Sequence, residues 1–282
     1  AGSIGCYLAG WLAAAADVTL VGRPALVDAI GREGLTVTDL AGRTRTVPPQ
    51  SLTLATEPSA VAGADYVLLT TKTVALTAAT QQIAPYLQHD SVVISFQNGL
   101  RNASAIDEAL AGAFPSRASR PLVLSGMVPF NVVRTADAHW TQTTSGRPVA
   151  KDHPRIDPFV RVAQGGGLRV EVDPDMRAVL FGKLLLNLNN AVNALTGLPL
   201  AVELRDRDCR HVLAACQDEA LTLARRVGVV ADLAERDATI LGSHLEGPFL
   251  DAGHKGAHTE ALLEAAGALA DLDVLSALSE IA

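Results

Sequence analysis

The segment KLLLNLNNAVNALTGL, from Lys183 to Leu198, sets one lysine and four asparagines (Asn187, Asn189, Asn190 and Asn193) among Leu, Ala and Val. Asparagine is a weak helix former because its amide competes for backbone hydrogen bonds, and a polar group buried without a partner costs free energy. Residues of this kind in an apolar segment need a chemical reason. On a helix turning roughly 100° per residue, Lys183, Asn187 and Asn190 fall within about 60° of one another, while Asn189 points away and Asn193 lies to the side. One face of an apolar helix then displays an ammonium and two amides. A partly desolvated lysine near a helix start has its pKa lowered toward neutrality, which suits a general acid. The competing reading is a snorkelling lysine with capping and inter-helix amides.

A second group of residues points to an anionic cofactor. Gly2-Ser3-Ile4-Gly5 opens an Ala-rich helical pattern and matches the second half of the dinucleotide fingerprint G-x-G-x-x-G. In that motif a glycine lets the backbone approach the pyrophosphate, the last glycine lets the helix pack closely on its strand, and the helix N-terminus favours negative charge. The fingerprint's first glycine and its strand would precede Ala1. Where an NAD enzyme places an acid on the ribose, the strand DVTLVGR ends in Arg23, and an arginine there can pair with a 2′-phosphate, favouring NADP. Asp28 is the weaker ribose candidate. Two further strand ends finish in polar tips, Thr70-Thr71-Lys72 and Gln97-Asn98-Gly99. Lys72 suits a phosphate or a carboxylate, and Asn98 a ribose or carboxamide, although Asn-Gly is also a plain turn signal.

The elements that must position these residues alternate. DVTLVGR, DYVLLTTK and SVVISFQNG read as strands, with helical stretches near residues 74–87 and 102–110 between the latter pair and beyond. Continuous apolar runs of this sort suit buried parallel strands, and the alternation argues for βαβ units. LTVTDLAGRTRTV reads as a hairpin around Ala41-Gly42, and PLVLSGMVPFNVVR, HWTQTTSGRPVA and LRVEVD as further strands. From Met176 onward the period is helical. The expectation is therefore an α/β protein: a Rossmann-type, doubly wound domain over residues 1–173, its first strand missing from this chain, and an all-α domain over residues 174–282.

The chain has 282 residues, 49% hydrophobic and 19% charged, and a net charge of −7. Such a composition supports a substantial core and disfavours nucleic acid or an anionic membrane as partner. Three dispersed cysteines without a CxxC pair disfavour a disulfide scaffold or zinc knuckle and favour the cytoplasm. No apolar run is long enough for a membrane span. His254 and His258 have an i, i+4 spacing, but nearby glycines and the lack of a third ligand argue against a metal site.

AGSIGCYLAG, LLTTK, ISFQNG and above all KLLLN…NALTGL resemble the ketopantoate reductase (2-dehydropantoate 2-reductase) family, from residue 1 to about residue 230. The resemblance implies NADPH-dependent reduction of 2-dehydropantoate to (R)-pantoate in pantothenate synthesis, in a cleft between a Rossmann domain and a helical domain of the 6-phosphogluconate dehydrogenase type. It implies Lys183 as proton donor and Asn187 as the first substrate asparagine. The second falls on Asn193 when the N-x-L-T end is aligned, whereas helix geometry prefers Asn190, so both stand. The resemblance puts Gly2, Ser3, Ile4, Gly5, Arg23, Lys72, Asn98, Asn131 and Glu260 on the NADP(H) side, and Ser243 nearest to a substrate serine. Here the chain departs from the family, because Pro248 stands where the family has the serine of a Ser-Met segment ahead of its Thr-Glu pair. Two rivals remain: a reductase of another 2-keto or β-hydroxy acid on the same fold, and a non-catalytic NADP-binding or dimerisation protein. A homodimer through the Ala/Leu-rich helices is compatible with either.

Overall fold

The structure, a computed structural model, describes residues 1–229. The chain divides into two compact units, Ala1–Thr143 with Arg147–Met176, and Thr144–Gly146 with Arg177–Ala282.

The first unit opens with helix α1 (Ser3–Leu12), strand β1 (Thr19–Val21) and helix α2 (Pro24–Glu33). The hairpin β2 (Leu35–Thr38) and β3 (Thr44–Val47) follows, then β4 (Thr53–Ala55), β5 (Tyr66–Leu69), α3 (Leu76–Ile83), β6 (Val92–Ser95), α4 (Asn102–Leu110) and β7 (Leu122–Met127). The unit ends with β8 (Val132–Ala136), β9 (His139–Gln142), β10 (Val149–Lys151), α5 (Asp157–Gly165) and β11 (Glu171–Asp173).

Strands β5, β6 and β7 are parallel and in register, with Leu69, Ser95 and Ser125 at matching ends. Every residue of β6 is buried, as a central parallel strand covered on both faces requires, and its VVIS sequence supplies the apolar run. β10 adds antiparallel to β7, and β11 parallel to β10, so this sheet has the order β11-β10-β7-β6-β5. β1 and β4 pair in parallel as a separate ribbon. The β4-β1 pair matches the 3-2 stretch of the doubly wound order 3-2-1-4-5-6, and β5-β6-β7 matches its 4-5-6 stretch. The first strand, expected ahead of Gly2, is not among the described residues, and β1 is not hydrogen-bonded to β5.

The expected α/β fold with parallel strands is present, and a further sheet stands beside those strands. Four strands form a distinct sheet of order β3-β2-β9-β8, because the β2–β3 hairpin takes β9 as its parallel neighbour through Thr36–His139, Val37–Trp140 and Thr38–Thr141. Helix α1 packs on this sheet and is buried from Cys6 to Leu12. Its Tyr7 stands edge-on to Phe130 with ring centroids 5.4 Å apart and donates a 2.7 Å hydrogen bond to Gln142 Oε1. Burying that phenol pushes its pKa up to about 12. Tyr7, Trp11, Val37, Phe130 and Trp140 belong to the larger apolar core, whereas Val93, Ile106 and Leu110 centre a second core beneath α3 and α4.

In the second unit the described residues from 177 onward are helical: α6 (Met176–Asn187, starting one residue earlier), α7 (Asn189–Thr196), α8 (Leu200–Glu203) and α9 (Arg207–Arg226). Asp206 caps α9, accepting 2.9 Å from the Cys209 amide, and Asp208 at its start and Arg225 and Arg226 at its end complement the helix dipole. Gln217 on α9 donates to the Leu185 carbonyl of α6 at 3.3 Å, which fastens the two helices. The single helix read over residues 183–198 is in fact two. Leu188 keeps helical angles (φ −58°, ψ −29°), but the Ala191 amide bonds the Leu188 carbonyl at 3.3 Å, three residues back. That tighter turn interrupts the ladder, and Gly197 ends α7 in the left-handed conformation at φ 64°. No helix among the described residues is long and apolar enough to cross a membrane.

Candidate active site

The start of α1 has the features an anionic ligand uses. Gly2 is its N-cap in an extended conformation (φ −128°, ψ −161°) with no side-chain cap, and the first helical bond runs from the Cys6 amide to the Gly2 carbonyl at 2.9 Å. The amides of the first turn, Ser3 to Gly5, are the donors an α-helix leaves to outside partners. A Cβ on Gly2 would meet nothing nearer than the Thr70 carbonyl at 4.0 Å, so a ligand can approach the bare backbone. Gly5 has a different task. A Cβ there would lie 2.5 Å from Thr70 Oγ1, so only glycine lets α1 come this close to the end of β5.

Beside this start, the Ala1 nitrogen donates to the Val21 carbonyl at the end of β1. Arg23 follows that strand as the exposed N-cap of α2, with Pro24 in the first helical turn.

The tips of β5 and β6 are joined to one another. Lys72 and Asn98 are both exposed, and neither side chain is what holds the tips. The buried amide of Gln97 does so, its Nε2 donating to the Thr71 carbonyl at 2.7 Å and to Thr71 Oγ1 at 2.9 Å, while its Oε1 accepts from Ser95 Oγ at 3.0 Å. The buried Asn102 at the start of α4 donates to the Gln97 and Asn98 carbonyls at 3.2 and 3.0 Å, and Thr73 Oγ1 donates to the Asn98 carbonyl at 3.0 Å. Gly99 sits between them at φ 128°, a conformation other residues rarely adopt. Sequence reading passed over Gln97 and Asn102, because an amide beside an Asn-Gly turn looks like turn chemistry. Asn131, exposed at the start of β8, has its carbonyl bound by the Thr143 amide at 2.9 Å.

In the helical unit, Lys183 is buried at 6% exposure, and burial lowers its pKa. Asn187, one turn on, is half-buried and closes α6. The two candidates for a second substrate asparagine differ in how they are used. Asn193 spends both amide protons inside the protein, donating to the Leu198 carbonyl at 2.7 Å and to Glu203 Oε2 at 2.9 Å. Asn190 is exposed in the first turn of α7. Asn189, which uniform helical rotation turned away, has a buried amide oxygen with no hydrogen-bond partner among the described residues.

Glu203 was missed altogether: it is 1% exposed, and its Oε1 also lacks a partner among the described residues. The one signal for it was a lone acid inside the apolar run Leu200–Leu204. Ser243, Glu260 and the His254/His258 pair lie outside the described residues.

Comparison with known proteins places these features in context. The family model described as Ketopantoate reductase PanE/ApbA matches residues 1–154, more than half of the chain. The 2-dehydropantoate 2-reductase of Mesorhizobium japonicum is 30% identical over 251 residues, covering 81% of this chain and 75% of that protein. The enzyme of the same name from Halobacterium salinarum is 27% identical over 236 residues, covering 81% of this chain and 74% of that protein. Among solved structures, the PanE/ApbA family ketopantoate reductase of Ralstonia eutropha JMP134 superposes with a TM-score of 0.73 at 25% identity, covering 98% of this chain and 97% of that one. Agreement of a family model, a relative at this identity and a shared fold settles the assignment: the chain belongs to the ketopantoate reductase family, oxidoreductases that work with a nicotinamide dinucleotide and a small keto acid.

Proposed function

We propose that this protein reduces 2-dehydropantoate to (R)-pantoate with NADPH, and that Lys183 supplies the proton. The observation that carries the reading is the ammonium of Lys183 buried in an apolar helix, its pKa lowered, with the Asn187 amide one turn away, in a chain of this family. The cofactor's contribution, when bound, is a hydride to the keto carbon. The first unit's residues fit such a group. The first-turn amides of α1 and the bare backbone at Gly2 would receive the pyrophosphate, with Ser3 and Ile4 contributing main-chain donors and Gly5 holding the helix close to β5. Arg23, exposed at the end of β1, would pair with the 2′-phosphate that separates NADPH from NADH. Lys72, Asn98 and Asn131 would serve the remaining polar groups of the cofactor.

On the substrate side, Lys183 protonates the carbonyl oxygen as it becomes an alkoxide, and a lysine with a lowered pKa gives up that proton more readily near neutrality. Asn187 orients the reacting group. Asn190 is preferred as the second amide, because both donors of Asn193 are already engaged with Leu198 and Glu203. Ser243 and Glu260 keep the substrate and cofactor roles that family resemblance suggests for them. A homodimer of a cytoplasmic enzyme belongs to the same reading and is checked by light scattering.

The test is steady-state turnover of a panel of 2-keto acids with NADPH and with NADH. Preferential oxidation of NADPH by 2-dehydropantoate supports the proposal. Turnover confined to another keto acid would reassign the substrate, and dinucleotide binding without turnover would favour a non-catalytic role.

A further inference from the structure

From the hydrogen bonds that join the tips of β5 and β6, we infer that Gln97 is a positioning residue for dinucleotide binding, acting through Lys72 and Asn98 rather than touching the ligand. The inference rests on the proposed cofactor site. Lys72 and Asn98 belong to different strands and are both exposed, so nothing in their own burial fixes their spacing. Gln97 is 6% exposed and spans the two tips: its Nε2 holds the carbonyl and hydroxyl of Thr71, the residue before Lys72, and its Oε1 is held by Ser95 at the end of β6. Asn102 grips the carbonyls of Gln97 and Asn98 from α4, and Thr73, the residue after Lys72, donates to the Asn98 carbonyl.

Lys72 is thus bracketed by two residues bonded to the Gln97–Asn98 tip, and Asn98 is bonded through its own backbone. Both donors of the Gln97 amide are engaged with Thr71 and its oxygen already accepts from Ser95, so it has no donor left for a ligand's acceptors. A satisfied buried network of this kind rigidifies what it joins, and a ligand that bridges two pre-set tips avoids the entropy of ordering them.

The experiment is a double-mutant cycle on the full chain, reading Kd for NADPH and for NADH by quenching of intrinsic fluorescence, with circular dichroism confirming the folded state at the assay temperature. Gln97→Met keeps the volume and removes every side-chain hydrogen bond. Its expected effect is a Kd raised about tenfold for both dinucleotides, the order of one or two lost hydrogen bonds. Lys72→Ala made in the Gln97→Met background should then cost much less than in the wild type, because the lysine is no longer held in place. A merely structural glutamine predicts wild-type Kd in the folded protein and additive effects, and that result would overturn the inference. Should Gln97→Met fail to fold, Asn102→Ala cuts the other half of the latch and carries the same cycle, with the same outcomes deciding. Wild-type protein that binds neither dinucleotide overturns the cofactor reading and this inference together, whereas wild-type binding with additive variants overturns this inference alone.

Discussion

The tips of β5 and β6 and the helices around Lys183 both present polar residues for chemistry, yet they are constructed in opposite ways. At the tips the functional candidates, Lys72 and Asn98, are exposed, and a buried glutamine and asparagine hold their backbone by hydrogen bonds. In the helical unit the functional candidate itself is buried, and two buried polar atoms of that unit, Asn189 Oδ1 and Glu203 Oε1, are without partners among the described residues. The difference teaches where each region can be damaged. On the proposed reading, binding at the tips would depend on spacing, so its support could be lost while charges remain. Chemistry on α6 would depend on desolvation, with a stability cost that the tips do not carry.

Of the effects on stability, the largest is expected at the close contact at the start of α1. Gly5→Ala sets a Cβ 2.5 Å from Thr70 Oγ1, and overpacking of this kind costs about 1–3 kcal/mol. A lowered Tm and weakened dinucleotide binding should both be recovered by adding Thr70→Ala. If the second substitution restores neither, the helix–strand contact is not what Gly5 protects.

Next comes Asn193→Ala, which leaves the buried Glu203 carboxylate with neither oxygen bonded to this amide and should cost roughly 1–3 kcal/mol in urea unfolding. A large loss of turnover at unchanged stability would instead return Asn193 to the substrate site.

Arg23→Ala is expected to raise the NADPH Kd about tenfold, the scale of one charge-assisted contact, and to leave NADH unchanged. Equal weakening of both would deny the 2′-phosphate pairing.

The smallest effect is a slope. Burial lowers the pKa of Lys183 below its ordinary 10.5, so the unfolded chain binds that proton more tightly than the folded one. Its charge therefore opposes folding below the lowered pKa, and the penalty fades as pH rises from there toward 10.5. Lys183→Met should then be relatively more stable than the wild type at neutral pH, with the gap closing in alkaline buffer. A gap that widens with pH would reverse the sign.

The same division governs what the sequence could convey. The buried run of β6, the β2–β3 hairpin and the helix Asn102–Leu110 all carry periodic or continuous apolar patterns, and all form as read. The strand β4 is three residues long, and α5 hides behind the alternating Val-Arg-Val of its sequence, so neither announces itself. The Lys183–Leu198 segment reads as one continuous helix by period, and the boundary at Leu188, with its i, i+3 bond from Ala191, has no signal in that apolar pattern. Gln97 and Glu203 were illegible for a shared reason: their significance lies in partners such as Thr71 and Asn193, and a side chain's hydrogen-bond partners are set by tertiary contact rather than by local pattern. Fold class depends on patterns along the chain; the supports of a site depend on what those patterns bring together.

The central claim is that the buried ammonium of Lys183 gives the proton to the reduced keto acid. Single-turnover oxidation of bound NADPH by 2-dehydropantoate, followed by absorbance in wild type and in Lys183→Ala, tests it most directly. The account predicts a rate lower by about 10²–10⁴-fold in the variant, the range for loss of a general acid, with an NADPH Kd within about twofold of wild type. A variant that turns over at a near wild-type rate would contradict it.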